Sequence, residues 1–307
     1  MRMRNSAESK SAEVRTVNEE TRREAIAVLK NRYSCRRFLD KPIPDAVLDD
    51  ILEVGLNAAT GGNLQPVSVV MVRDPERKRK IREYCGQGFI EQADTLLVYL
   101  IDFYRIKRWS QVQKAPFGKH LSFNDFIISL EDVMCMAQSM ESAANLHGVG
   151  NVYIGTVNAR YAQMKEVLDL PELTIPVLML CLGYPDDKGL GRKKLARGVV
   201  VHQETYRRLS DDEVKKRIVA DKYDNWMQSL EGEILEKYKD SFFQVTKAVH
   251  GEEYAREVVA AIDEQKGINR AQYRLGHHYN PVRLAALNEE VFRFYREQGF
   301  AFIPSDG

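Results

Sequence analysis

Residues 124–146 restrict the fold more than any other part of the chain, because they keep helical periodicity while being apolar on more than one side. Ile127, Val133, Met134, Met136, Ala137, Met140 and Ala144 cover more than a single stripe. A helix apolar over so wide a face belongs at the centre of a fold or in an interface. The methionines read as packing rather than ligands. Around this helix the chain alternates short apolar runs with amphipathic segments. Residues 67–72 and 95–101 read as buried strands, the first ending at Asp74-Pro75. Residues 152–154 and 175–182 read the same way, the latter closing in Gly183-Tyr184-Pro185. Pro176 has no N–H to give a sheet, which puts its part of the run at a strand end.

Helix signals fill the intervals. Thr21-Arg22-Arg23-Glu24 has capping-box spacing and leads into a helix over residues 25–30. Asp45 opens a second helix, with Leu48, Ile51, Leu52 and Leu56 on one face, that dies at Thr60-Gly61-Gly62. Residues 76–84 form a basic helix and residues 161–168 a short one. Beyond Ser210 the character changes to a long charged helical region. Ser210-Asp211-Asp212-Glu213 repeats the capping-box spacing, and Asn280-Pro281 opens a final helix that stops at Gly299. Residues 300–303 are an apolar tail with strand propensity, which must find a sheet or a groove, a partner subunit being a candidate. The expected organisation is a mobile arm (residues 1–17), a main domain (18–209), and a helical extension with its tail (210–307) that packs on that domain or on a dimer partner.

With 307 residues, 44% of them hydrophobic and 29% charged, the chain can bury a substantial core. Its formal net charge of +1 asks for neither nucleic acid nor an anionic membrane. The apolar runs are too short to span a bilayer, and the charged opening is no secretory signal, so a cytoplasmic location is the default. Cys35, Cys85, Cys135 and Cys181 have no paired spacing and are expected to be buried free thiols. Cys35, with its two arginine neighbours Arg36 and Arg37, is the one that could favour a thiolate.

The chemistry concentrates in a few places. Arg32, Ser34, Arg36 and Phe38 precede the second helix, and Gly61-Gly62-Asn63-Leu64-Gln65-Pro66 follows it. Arginine forks bind phosphate bidentately, and a glycine-asparagine-glutamine loop lets amides approach a flat ring. Both ends of one helix therefore suit a planar, phosphorylated ligand. Gly148-Val149-Gly150 with Gly155 follows a helix and precedes a strand, the reverse of a dinucleotide fingerprint, and reads as a helix cap with close backbone packing. The block from Lys188 to Arg197 holds five cations and no acid, and serves either as an anion site or as a solvated loop. His277-His278 lacks metal-site spacing and suits a surface or interface. No carboxylate pair stands out as an acid–base couple, which suits a site whose cofactor carries the hard chemistry.

Arg32-Tyr33-Ser34-Cys35-Arg36-Arg37-Phe38 and Asn63-Leu64-Gln65-Pro66 resemble the two opening motifs of the FMN-dependent nitroreductase family. The segments from Gly148 to Gly155 and from Cys181 to Pro185, then Val201-His202 with Thr205-Tyr206, resemble later motifs in the same order. The resemblance covers about residues 22–209 and, weakly, the last helix and tail. It is strongest to the branch of oxygen-insensitive NADPH nitroreductases and NADPH–flavin oxidoreductases. Departures are Thr60-Gly61-Gly62, where the family often carries hydroxyls, and a helical region after Tyr206 that is longer than in that branch.

The resemblance implies an α+β fold, with a mixed, mostly antiparallel sheet flanked by helices and a helical C-terminal extension. It implies bound FMN, NADPH or NADH as electron donor, a small-molecule acceptor (a nitroaromatic, quinone or flavin), and a homodimer whose subunits share each site. Arg32, Tyr33, Ser34 and Arg36 match positions at the FMN phosphate and ribityl chain. Asn63, Leu64, Gln65 and Gln87 match flavin contacts, and Tyr153, Ile154 and Gly155 match the segment over the reactive face. Arg192 and Lys194 match phosphate-binding positions, and the basic block leans toward NADPH. No side chain of the chain itself is assigned to the chemical step, and no metal. Alternatives with the same fold are a dehalogenase, a flavin-degrading enzyme, or a flavin-binding protein without turnover.

Overall fold

The computed structural model of the chain describes residues 17–187 and 189–303. The expected N-terminal arm lies outside them except for Val17. The first helix, α1 (Glu19–Lys30), begins ahead of the Thr21 capping box, because the Asn18 side chain takes the cap by accepting from the Thr21 N–H at 2.9 Å. Next come α2 (Asp45–Leu56), β1 (Val67–Val72), α3 (Pro75–Cys85), the single turn α4 (Phe89–Gln92) and β2 (Thr95–Asp102). They are followed by α5 (Phe103–Gln113), the long α6 (Phe123–Leu146), β3 (Gly150–Ile154), α7 (Tyr161–Leu168) and β4 (Thr174–Gly183).

The four strands pair antiparallel in the order β1-β2-β4-β3. The parallel component is an isolated bridge between Ser34 and Asn151. Every residue of β2 is buried, as a strand covered on both faces should be. Leu97, Tyr99 and Ile101 face one core layer, and Leu96, Val98 and Leu100 the other. Strand β4 changes phase partway along. Ile175 and Val177 share a layer with Leu180 and Leu182, because the register slips by one residue where Tyr99 pairs with Leu178 and Leu100 with Pro176. An extra residue at a bulge reverses which side chains face which layer. This bulge also accommodates Pro176, which lies inside the strand rather than at its end. Strand β3 pairs only with the segment from Met179 to Gly183, so none of its carbonyls faces Pro176, which has no N–H to donate.

One face of the sheet is covered by α2, α6 and the C-terminal helix, the other by α3, α4 and α7. Helix α6 buries a broad stripe that includes Val133, Met136, Ala137, Met140 and Ala144, and with them the polar Ser129, Asp132 and Glu141. Met134 and Leu146, on its other side, are exposed, and so is Cys135, contrary to expectation for that cysteine. Leu56 is likewise exposed, while Leu48 and Ile51 are buried. Gly55 lets α2 approach α6 closely, since a Cβ there would lie 2.3 Å from Met140 Cε.

After β4 come α8 (Arg197–Val200) and α9 (Asp211–Val214), the latter opened by a complete Ser210–Glu213 capping box and continued as a π-helical turn, Lys215–Ala220. Strands β5 (Met227–Ser229) and β6 (Gly267–Asn269) then pair across the hairpin of α10 (Gly232–His250) and α11 (Glu252–Gln265). These elements share a small core of Leu230, Leu235, Phe242, Ile262 and Ile268. The expected single final helix is two, α12 (Pro281–Ala286) and α13 (Asn288–Glu297). The Leu287 N–H bonds to Leu284 O, a tightened last turn that ends the first of them.

The apolar tail does not form a strand in its described part, and it packs within its own chain. Gln298 donates to Thr174 O and accepts from Lys165, and Phe300 is fully buried beside Phe103, Phe126 and Tyr295. Replacing Phe300 by alanine opens a cavity in this aromatic cluster and is expected to cost about 3–5 kcal/mol. A fall in the urea midpoint at unchanged slope checks this.

Candidate active site

From Ser34 to Leu39 the chain runs as an extended segment across the ends of β3 and β4. The Cys35 N–H donates to Asn151 O at 2.9 Å, and the Leu39 N–H to Tyr184 O at 2.9 Å. Asp186 N–H returns a bond to Arg37 O. Cys35 and Phe38 are buried against Gly150 and Gly183, which anchors the segment, while Arg36 stays exposed. Cys35 is therefore not the thiolate its arginine neighbours suggest. Burial pushes its thiol up, and its Sγ donates to Arg37 O.

Tyr33 ties this segment to the basic loop. Its hydroxyl donates to Asp187 O at 2.8 Å, and its ring lies on Gly189, where a Cβ would come within 2.0 Å of the ring. Only glycine allows that contact. Gly191 in turn lies beside Arg32 O. The loop carrying Arg192 and Lys194 is thus laid against the segment carrying Arg32, Tyr33, Ser34 and Arg36. Of the block's cations, Lys193 pairs with Asp224 at 3.1 Å, whereas Arg192 and Lys194 are exposed; Lys188 lies outside the described residues.

Arg32 reaches a carboxylate that sequence reasoning missed. Its Nε lies 2.5 Å from Glu141 Oε1, and the Glu141 side chain is 1% exposed. Gln138 donates to the other oxygen at 2.7 Å. Arg32 Nε, Glu141 Oε1, Asn151 Oδ1 and Tyr153 Oη are buried without a hydrogen bond of good geometry. Burial, then the Glu141 charge, raises the Tyr153 hydroxyl well above its ordinary range, with Arg32 opposing. The signal was a glutamate inside the apolar stripe of α6, where a solvated acid has no place.

At the far end of β3, Gln87 Nε2 donates to Thr156 Oγ1 at 3.2 Å, which brings Gln87 beside Ile154 and Gly155. The Ile154 side chain is in the core, so only its backbone is on offer there. Gly155 has open space where a Cβ would stand.

Asn63, Leu64 and Gln65 are held elsewhere. Their loop turns through left-handed conformations at Gly62, Asn63 and Gln65. It is fixed by Gly61 N–H donating to Asp132 Oδ1 at 2.8 Å and by Arg105 donating to Gln65 O and Val67 O. Asp132 and Glu141 sit on the same helix, so at about 1.5 Å per residue the two anchor points are roughly 13 Å apart along it. Gln65 lines a groove of about 390 Å³ with Thr60, Leu52, Leu56, Met136 and Met140, which contains none of the arginines of the first motif. Within one chain, then, the thirteen candidate positions fall into a group strung along β3 and a loop set apart over α6. Of the later motif residues, His202 and Tyr206 have tilted rings with centroids 4.3 Å apart, and His277 and His278 are exposed beside Tyr273.

Residues 29–184 match the Nitroreductase family. The chain belongs to that family. An NADPH-flavin oxidoreductase from Vibrio harveyi is 34% identical over 197 residues, covering 64% of this chain and 78% of that protein. An FMN reductase [NAD(P)H] from Bacillus subtilis is 32% identical over 206 residues, 66% of this chain and 81% of its own length. The solved structure of NfrA2 from B. megaterium superposes with a TM-score of 0.63 at 26% identity, covering 91% of this chain and 98% of that one. The nitroreductase fold expected from the sequence motifs is the fold observed.

Three outcomes follow from this geometry. Arg32→Ala leaves Glu141 without its cation and is expected to cost about 2–3 kcal/mol, the low side for a broken buried pair because Arg32 is partly exposed. Arg36→Ala should stay within about 0.5 kcal/mol of the parent in the same urea titration. With a thiol reagent at mildly alkaline pH, Cys135 should react in the folded protein and Cys35 only after unfolding, since a raised thiol pKa keeps it protonated there.

Proposed function

We propose that the chain is an FMN-dependent NAD(P)H oxidoreductase that reduces nitroaromatics, quinones or flavins by ping-pong, two-electron transfer. The observation that carries this reading, beyond family membership, is the packing of the basic loop against the first motif through Tyr33 and Gly189. It lays the segment carrying Arg36 against the loop carrying Arg192 and Lys194, and these three side chains are exposed and in no ion pair among the described residues. Such a set suits a phosphate dianion.

The residues present fit FMN in other respects. The Tyr153 hydroxyl is a buried polar group in need of a partner or water, and Gly155 leaves room for a ring to lie close to the backbone. Arg32, Tyr33, Ser34 and Arg36 hold the phosphate and ribityl chain, with Arg192 and Lys194 closing the other side. Gln87 and the backbone from Tyr153 to Gly155 line the ring. When bound, FMN supplies the redox chemistry, accepting a hydride from NAD(P)H and passing two electrons to the acceptor. The protein orients the ring, keeps one face open to alternating ligands, and balances the phosphate charge.

Asn63, Leu64 and Gln65 complete the site from a second copy of the chain, so the working form is a homodimer in the cytoplasm. Their distance from Arg32 along α6 supports this reading. No helix among the described residues is long and apolar enough to cross a membrane.

Losing one charge-assisted phosphate contact costs about 1.5–3 kcal/mol, or roughly tenfold or more in FMN affinity. Arg36→Ala should therefore purify with much less flavin, while its flavin-free form keeps the stability of the flavin-free parent. Full flavin occupancy at low FMN concentration would remove the first motif from the site. Hybrid dimers of Arg36→Ala with Gln65→Ala chains should regain activity that neither variant shows alone, because one of their two sites keeps both residues. Hybrids as inactive as the parent variants would contradict the shared site.

A further inference from the structure

The extension forms an open cavity of about 570 Å³ between the π-helical turn Lys215–Ala220 and the segment that follows β6. That volume is in the range of small-molecule sites. Its walls are largely apolar, with Val219, Tyr223, Trp226 and Leu275, and its lining includes two arginines, Arg270 and Arg274, but no acid. None of the thirteen candidate flavin contacts lines it.

Arg270 is the informative residue. Its guanidinium lies 3.8 Å from the centroid of the Trp226 ring, with the Tyr223 ring at 5.9 Å. Stacking of this kind fixes the plane of the fork and neutralises none of its charge. Its Nε is buried with no hydrogen-bond partner, and neither arginine has an ion-pair partner among the described residues. An oriented, uncompensated guanidinium at the mouth of an aromatic cavity lacks an anion. The exposed apolar walls, Val219 at 44% and Leu275 at 66%, lack a flat apolar body to cover them.

We propose that this cavity binds a planar aromatic anion. The ring slides between Trp226, Tyr223 and the aliphatic wall, and its carboxylate, sulfonate or phosphate group takes the free edges of Arg270 and Arg274. The wall is also mechanically joined to the basic loop. Asp224, between the lining residues Tyr223 and Asn225, holds Lys193, and Lys222 donates to Lys193 O. A ligand here therefore bears on the loop that presents Arg192 and Lys194.

Calorimetric titration of the full-length, FMN-loaded protein tests this with naphthalenesulfonate as the anionic probe and naphthalenemethanol as its neutral counterpart. One saturable site is expected for the sulfonate. Arg270→Gln should weaken it by about tenfold or more, as expected for losing a charge-assisted contact, and leave the weaker binding of the neutral probe unchanged. Val219→Trp, a change at an exposed position that fills the cavity, should abolish the binding of both probes. Absence of sulfonate binding to the parent overturns the proposal. So does a sulfonate affinity that survives both substitutions.

Discussion

Two carboxylates buried on α6, Asp132 and Glu141, tie both halves of the candidate site to the core. A carboxylate taken out of water needs compensation, and each of these finds one partner in the candidate site, while Asp132 Oδ2 is left without a hydrogen bond. Asp132 takes the Gly61 N–H and so fixes the Asn63–Gln65 turn, while Glu141 takes Arg32 and so fixes the start of the first motif. The helix acts as a rigid spacer because its apolar stripe is packed along the sheet. Shifting α6 by a residue would strand one charge or the other. The separation between the two anchors is therefore a property of the fold, and it divides the site's residues within a single chain.

The basic block is divided in a comparable way. Sequence composition treats its cations as one cluster, but the structure gives them different tasks. Lys193 is drawn to Asp224 of the extension, and the glycines at 189 and 191 hold the loop against Tyr33 and Arg32. Arg192 and Lys194 are left outward. The extension thus positions the loop as well as forming its own cavity, which gives its extra length a physical role beside the core domain.

Much of this was legible in the chain. The strands appear as apolar runs because β2 and β4 are covered on both faces, and the wide apolar face of α6 foretells its place against them. What was hidden depended on tertiary partners. Pro176 marks a bulge rather than a strand end, since only the pairing with Tyr99 and Leu100 shows where the extra residue goes. Cys35 looks activated beside two arginines, yet its neighbours in space are Gly150 and a backbone carbonyl, and desolvation dominates. The tail from Phe300 has strand propensity, but the aromatic rings of α5, α6 and α13 offer it a better burial within its own chain. The two α6 acids were passed over because acids on helices are ordinarily solvated. Their placement within an apolar stripe was the available clue.

The central claim is that these residues hold a flavin that a nicotinamide cofactor reduces. The visible absorption spectrum of the purified protein, recorded anaerobically before and after NADPH, tests it most directly. An oxidised flavin spectrum that bleaches on addition is the predicted result, and recovery of the colour on adding a quinone completes the cycle. A protein that shows no flavin even after incubation with FMN would contradict the site. Flavin that stays oxidised with both NADPH and NADH would contradict the reaction.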